Sequence, residues 1–166
     1  KGELNRLLTI ISATILSRID YSKSLYLGLP EASISRLQVV NDATWLIAKQ
    51  PRNMHATPVL KDLHWLPVTQ RVQLKVMCLV FKAVHKLVPV FVTQRLSPYA
   101  PSRTLRFISK GLLVVPRIIR SRMGARRFAT LGPCMWNSLP MDLRLEGNFL
   151  QFRKKMKAHL FRQAWL

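Results

Sequence analysis

The stretch Thr57–Leu87, TPVLKDLHWLPVTQRVQLKVMCLVFKAVHKL, decides the fold. Each helical residue turns about 100° from the last, which predicts a long helix from about Val68 to Val88. Val72, Val76, Val80, Ala83, Val84 and Leu87 then share one side, flanked by Leu74, Met77, Leu79, Phe81 and Val88. Arg71, Lys75, Lys82 and Lys86 fall in a narrow arc opposite, with Cys78 at its edge. A helix apolar over most of its girth is normally buried. A core helix with one basic ridge is therefore expected. The ridge reads either as a solvated face or as an edge that tracks phosphates.

Charge weighs on that choice. The 166 residues carry 27 Lys or Arg against 7 acids, a net charge of +20. Self-repulsion on that scale opposes a compact monomer unless a polyanion is the partner. Nucleic acid is the first candidate and an anionic membrane surface the second. No Asp or Glu occurs between Asp62 and Asp142, whereas 13 Lys or Arg do. Solvated faces usually mix both signs, so this interval favours a polyanion.

Around the central helix the pattern is mainly α. Leu4, Leu8, Ile11, Ile15 and Ile19 mark an amphipathic helix over Glu3–Ile19, and a second runs from about Glu31 to Ala48. Gln50–Asn53 breaks the second, and Pro58–Trp65 predicts a short helix. Pro89 ends the central helix, and Val90–Leu96 adds a further short turn. The character changes after Arg103. Leu112–Pro116 reads as a strand, paired in a small β-hairpin with Arg126–Ala129. Gly132–Leu139 is a helical or turn segment holding Trp136, and Phe149–Trp165 is a terminal helix with a Phe149, Phe152, Met156, Leu160 stripe. The expectation is a helical bundle around the long helix, with a helical domain over 1–100 and a basic subdomain over 101–166 carrying the hairpin and terminal helix.

Catalytic chemistry has little to stand on. A two-metal polymerase or nuclease site needs clustered carboxylates, and the seven acids are dispersed. The four histidines have no zinc-ligand spacing with each other or with Cys78 and Cys134, which read as reduced thiols. No apolar run reaches the roughly 18 residues that span a bilayer. The chain opens on Lys1, so a piece of something longer is expected. What remains is a binding surface. Arg103, Arg106, Lys110, Arg117, Arg120, Arg122, Arg126 and Arg127 crowd 25 residues, and Lys154 and Lys155 load the terminal helix. Arginine's planar fork suits phosphate. Phosphate contacts carry no sequence information.

The residues also suggest a family. Asp62–Val68, DLHWLPV, resembles the LHWLPV signature downstream of the palm in reverse transcriptases of LINE-type non-LTR retrotransposons, the chicken-repeat and related clades. In the same order, Tyr21–Pro30 resembles Y-x-N-S-L-x-x-G-L-P, with Lys23 in place of Asn, and Arg36–Ala43 resembles R-L-Q-x-V-Q-N-A. Ser97–Arg106, Met135–Pro140 and Phe152–Phe161 resemble the patterns S-x-Y-x-P-x-R-x-L-R, L-W-N-S-L-P and F-K-x-x-L-K-x-x-L-F. The resemblance implies the thumb and post-thumb region of an RNA-directed DNA polymerase, non-catalytic by itself. Its partners would be RNA or an RNA–DNA hybrid and the parent's palm and fingers. No cofactor is expected here, since the parent's magnesium would sit at a palm absent from this stretch. An intracellular setting follows, in the nucleus or a cytoplasmic ribonucleoprotein. His64, Trp65, Pro67, Trp136 and Pro140 are expected to be structural anchors. The alternatives are a decayed structural remnant with no independent function, or a basic membrane-surface module.

Overall fold

The computed structural model describes residues 6, 10, 26–30, 32–36, 57–62, 64–100, 111–117 and 127–165. The expected helices over 3–19 and 31–48 lie largely outside the described residues, although 32–36 are helical. Six helices are named among the described residues: α1 Thr57–Asp62, α2 Val68–Val84, α3 Val90–Thr93, α4 Phe128–Asn137, α5 Met141–Arg144 and α6 Phe149–Trp165. The mainly α class, the long central helix and the terminal helix are as the sequence implies. The contacts gather into two units, Lys1–Val72 with Leu160–Leu166, and Gln73–His159. A boundary near residue 100 is not where the packing divides. Phe81 touches Trp136 and Phe152, so the chain beyond 101 shares a core with residues before it.

In the first unit Ile34, Val68 and Val72 are buried together, with Tyr26, Leu27 and Leu29 packed against them. Pro67 opens α2: its carbonyl accepts the Arg71 N–H at 3.0 Å, and the N–H that proline lacks would have no helical partner there. Between α1 and α2 lies the LHWLPV turn. His64 N–H donates to the Lys61 carbonyl at 3.0 Å and Trp65 N–H to the Leu60 carbonyl at 2.9 Å. This closure satisfies two carbonyls of the last helical turn and requires a left-handed residue between them. That residue is His64, at φ 53°. Its ring stacks on Phe161 at 5.4 Å with the planes nearly parallel, which supplies packing a glycine would lack. His64 itself is exposed, with its ring resting on Phe161. Trp65, expected as a structural anchor, is half-buried.

The same device ends α2. Leu87 N–H reaches the Lys82 carbonyl at 2.7 Å and Lys86 N–H the Ala83 carbonyl at 3.2 Å, with Lys86 left-handed at φ 57°. The helix therefore stops at Val84 rather than Val88, and Val84 and Leu87 are exposed instead of joining the apolar side. The rest of that side holds: Val76, Met77, Val80, Phe81 and Ala83 are buried in the second unit.

Against it packs α4. Gly132 brings the two backbones close, since a Cβ there would lie 3.2 Å from a Val80 methyl. Pro133 removes one helical hydrogen bond inside α4, but both residues are buried on the side that holds Trp136. Trp136 is fully buried and its ring meets Phe81 at 6.5 Å and Phe152 at 5.7 Å. From α6, Phe152 and Met156 complete this core, while Leu160 is buried in the first unit. Asn148 caps α6: its Oδ1 accepts the Leu150 and Gln151 N–H groups at 2.9 and 3.2 Å. Pro140, expected as an anchor, is exposed and starts α5.

The predicted hairpin has a different partner. Phe128 and Ala129 lie in α4, so they cannot pair with Leu112–Pro116. Leu113 instead faces Pro98 in an isolated antiparallel bridge. Val114 N–H donates to the Ser97 carbonyl and Tyr99 N–H to the Leu112 carbonyl, both at 2.9 Å. Pro98 occupies the position whose N–H the ladder does not use, which is why proline is accepted there. On the other edge the Asn137 amide brackets Leu113, accepting its N–H at 2.9 Å and donating to its carbonyl at 2.8 Å. Trp136 Nε1 adds a bond to the Gly111 carbonyl at 2.8 Å. The Trp-Asn pair of the MWNSLP segment thus captures the 111–114 strand.

Candidate nucleic-acid interface

Two helices of the second unit bring cations together around Cys78. On α2, Lys75, Cys78 and Lys82 follow one another at spacings of three and four, so they share a face. Lys75 is exposed and Lys82 half-buried. The Lys82 ammonium sits over the Phe149 ring of α6, 4.6 Å from its centroid. This contact fixes the long side chain without neutralising it. Arg153 lies one turn beyond Phe149 on α6 and is exposed. Burial pushes the Cys78 thiol up from its ordinary pKa, while the fields of Arg153, Lys82 and Lys75 pull the other way. Arg153, Lys82 and Lys75 thus lie close enough to Cys78 for charges from both helices to act on it.

Little opposes that potential. Residues 73–159 contain 17 Lys or Arg and two acids, Asp142 and Glu146. Glu146 is already engaged: one carboxylate oxygen takes the Lys155 ammonium at 2.5 Å and the other the Asn148 N–H at 3.2 Å. The Lys155 hydrogen bond, then the Asn148 N–H, hold the Glu146 carboxyl below its ordinary range, and Glu146 in turn raises Lys155.

The basic ridge read from the sequence is thereby reshaped. Lys75 and Lys82 keep it. Lys86 leaves it, because α2 has ended and the left-handed turn redirects the chain. Arg71 belongs to the first unit, is half-buried, has its pKa lowered by that burial, and has its own partner in the fold. Arg153 was not among the sequence candidates, although its spacing of four from Phe149 was visible. Lys154 is exposed and Lys155 is tied to Glu146. Arg117 and Arg127 are exposed, and Arg127 precedes the first turn of α4. Arg103, Arg106, Lys110, Arg120, Arg122 and Arg126 lie outside the described residues.

No three His, Cys, Asp or Glu side chains converge to hold a metal among the described residues. Both cysteines are free thiols, Cys78 half-buried and Cys134 exposed. No described helix is long and apolar enough to cross a membrane. No protein-family model, curated protein or solved structure matches the chain.

Proposed function

We propose that this chain binds the phosphate backbone of RNA or an RNA–DNA hybrid, as the non-catalytic thumb and post-thumb region of a LINE-type reverse transcriptase. The parent's palm and fingers would be its protein partners and would house the catalytic magnesium. The observation that carries the binding reading is the cluster of Lys75, Lys82 and Arg153 on two packed helices, in a unit with 17 basic residues and two acids. Supporting the family reading are the six ordered sequence resemblances and the mainly helical architecture.

Binding of this kind is driven by counterion release. Each phosphate neutralised on a duplex adds about 0.9 to the slope of log affinity against log salt. The test is a salt titration of hybrid-duplex binding with the triple variant Lys75→Gln, Lys82→Gln, Arg153→Gln. The slope should flatten by roughly 2–3, equally for unrelated sequences. Lys155→Gln should change it far less, since Lys155 already has a carboxylate. Equal slopes for wild type and the triple variant would reject the interface.

A further inference from the structure

The closure of α2 has a second consequence. Beyond it, Leu87, Val90 and Phe91 are 61%, 66% and 69% exposed, and Val84 before it is 38% exposed. α3 has no buried residue at all. Four large apolar side chains within eight residues thus face outward, where hydrophobic burial would ordinarily draw them in. They stand on a turn and a one-turn helix, with Pro89 fixing the corner and Thr93 Oγ1 bonded to the Val90 carbonyl. Side chains this exposed, carried on a turn and a one-turn helix, make a small apolar tip that can enter a soft apolar layer.

The surroundings of the tip are cationic. Lys86 lies within it and Arg95 follows it in the chain, and both are exposed. No carboxylate lies nearer in sequence than Asp62 or Asp142. A second copy of this chain would bring the same positive charge to the contact, and an isolated +20 chain resists that. An anionic, apolar-cored surface matches both features. We infer that the Val84–Phe91 turn is a membrane-docking tip, which inserts Leu87, Val90 and Phe91 shallowly among the acyl chains while Lys86 and Arg95 meet anionic headgroups. A membrane-surface role on a basic amphipathic helix needs a free apolar face, and the apolar side of α2 is buried. The structure supplies the free apolar surface at the turn after α2 instead. This inference is independent of the nucleic-acid reading.

The experiment is co-sedimentation of the whole chain with phosphatidylcholine vesicles, with and without phosphatidylserine, near physiological ionic strength. Wild type should partition onto the phosphatidylserine vesicles. The triple variant Leu87→Ser, Val90→Ser, Phe91→Ser should partition at least about ten-fold less, from lost apolar burial. Lys86→Gln and Arg95→Gln should each cost about five-fold. The serine variants change exposed positions, so circular dichroism and hybrid-duplex binding should be unaltered. If the triple variant is nevertheless unfolded, Phe91→Ser alone keeps the test, with a few-fold loss expected. Vesicle binding indifferent to the serine changes would overturn the inference, as it would mean a general polycation effect. A concentration-dependent dimer abolished by Phe91→Ser would overturn it in favour of a second copy.

Discussion

Replacing Lys86 by glycine should stabilise the protein, although it deletes a side chain and a charge. Lys86 holds φ 57° between two hydrogen bonds that close α2. A side chain with a Cβ pays about 1–2 kcal/mol in that left-handed conformation. Glycine removes this cost but loses about 0.5–1 kcal/mol through the greater freedom of the unfolded chain. The net gain is about 0.5–1 kcal/mol, a rise in midpoint of roughly 1–4 °C for a chain of this length. Lys86→Ala is the control: it removes the same charge and keeps the Cβ, so its stability should stay near wild type. Lys86→Val adds a branch at the Cβ and should be worse than alanine by at least about 1 kcal/mol. Urea unfolding followed by far-ultraviolet circular dichroism gives all three numbers on one scale. If glycine were no more stable than alanine, the left-handed closure would not be what ends α2. His64→Gly should gain less than Lys86→Gly, because it also forfeits the stack on Phe161.

Trp136→Ala should cost about 3–5 kcal/mol in the same unfolding assay, as a fully buried ring and its bond to Gly111 are lost together; a cost under half of that would mean the core closes without it. Asn137→Ala leaves both backbone groups of Leu113 without that partner and should cost about 1–3 kcal/mol, with faster amide exchange at Leu113. Maleimide should label exposed Cys134 at least about ten-fold faster than Cys78, whose half-burial disfavours the thiolate. Hybrid duplex should slow Cys78 further and leave Cys134 unchanged; protection of neither thiol would count against the two-helix interface. Glu146 has its folded pKa below the ordinary 4.5, so its stabilising share is present above that value and lost as pH falls through the folded one. Lys155 has its folded pKa above the ordinary 10.5, so its share is present below that value and lost as pH rises through the folded one. Midpoints measured across pH should show both limbs, and Lys155→Gln should flatten each of them in part.

The two long helices were legible because their information is periodic. Val72, Val76 and Val80 or Phe152, Met156 and Leu160 identify a buried face without any knowledge of what lies opposite. The end of α2 was not legible, because Pro89 sets only the latest place a helix can stop. The actual stop depends on a lysine adopting a conformation that sequence rules reserve for glycine or asparagine. The strand at Leu112 was visible in its composition, but its partner was not. One bridge to Pro98 and one asparagine amide hold it, and neither leaves a period to read. Among the cations, Lys75 and Lys82 followed from helical phase on one element. Arg153 required the relative phase of two helices, which no single stretch encodes. Lys155 looked equivalent to its neighbours until Glu146, nine residues away, proved to be its counter-ion.

The Asn137 amide has a bearing on solubility. An unpaired strand edge is a template on which another chain can add a strand. Here the Leu112 and Val114 groups are used by Tyr99 and Ser97, and those of Leu113, facing the opposite way, are used by one side chain. An amide has a donor and an acceptor at the spacing of a peptide group, so it imitates a neighbouring strand but has nothing to propagate. The Leu112-Leu113-Val114-Val115 run would otherwise be the kind of segment that seeds ordered aggregates. A single asparagine on a helix therefore terminates the sheet at one residue's width and keeps a β-prone stretch inert within a helical protein.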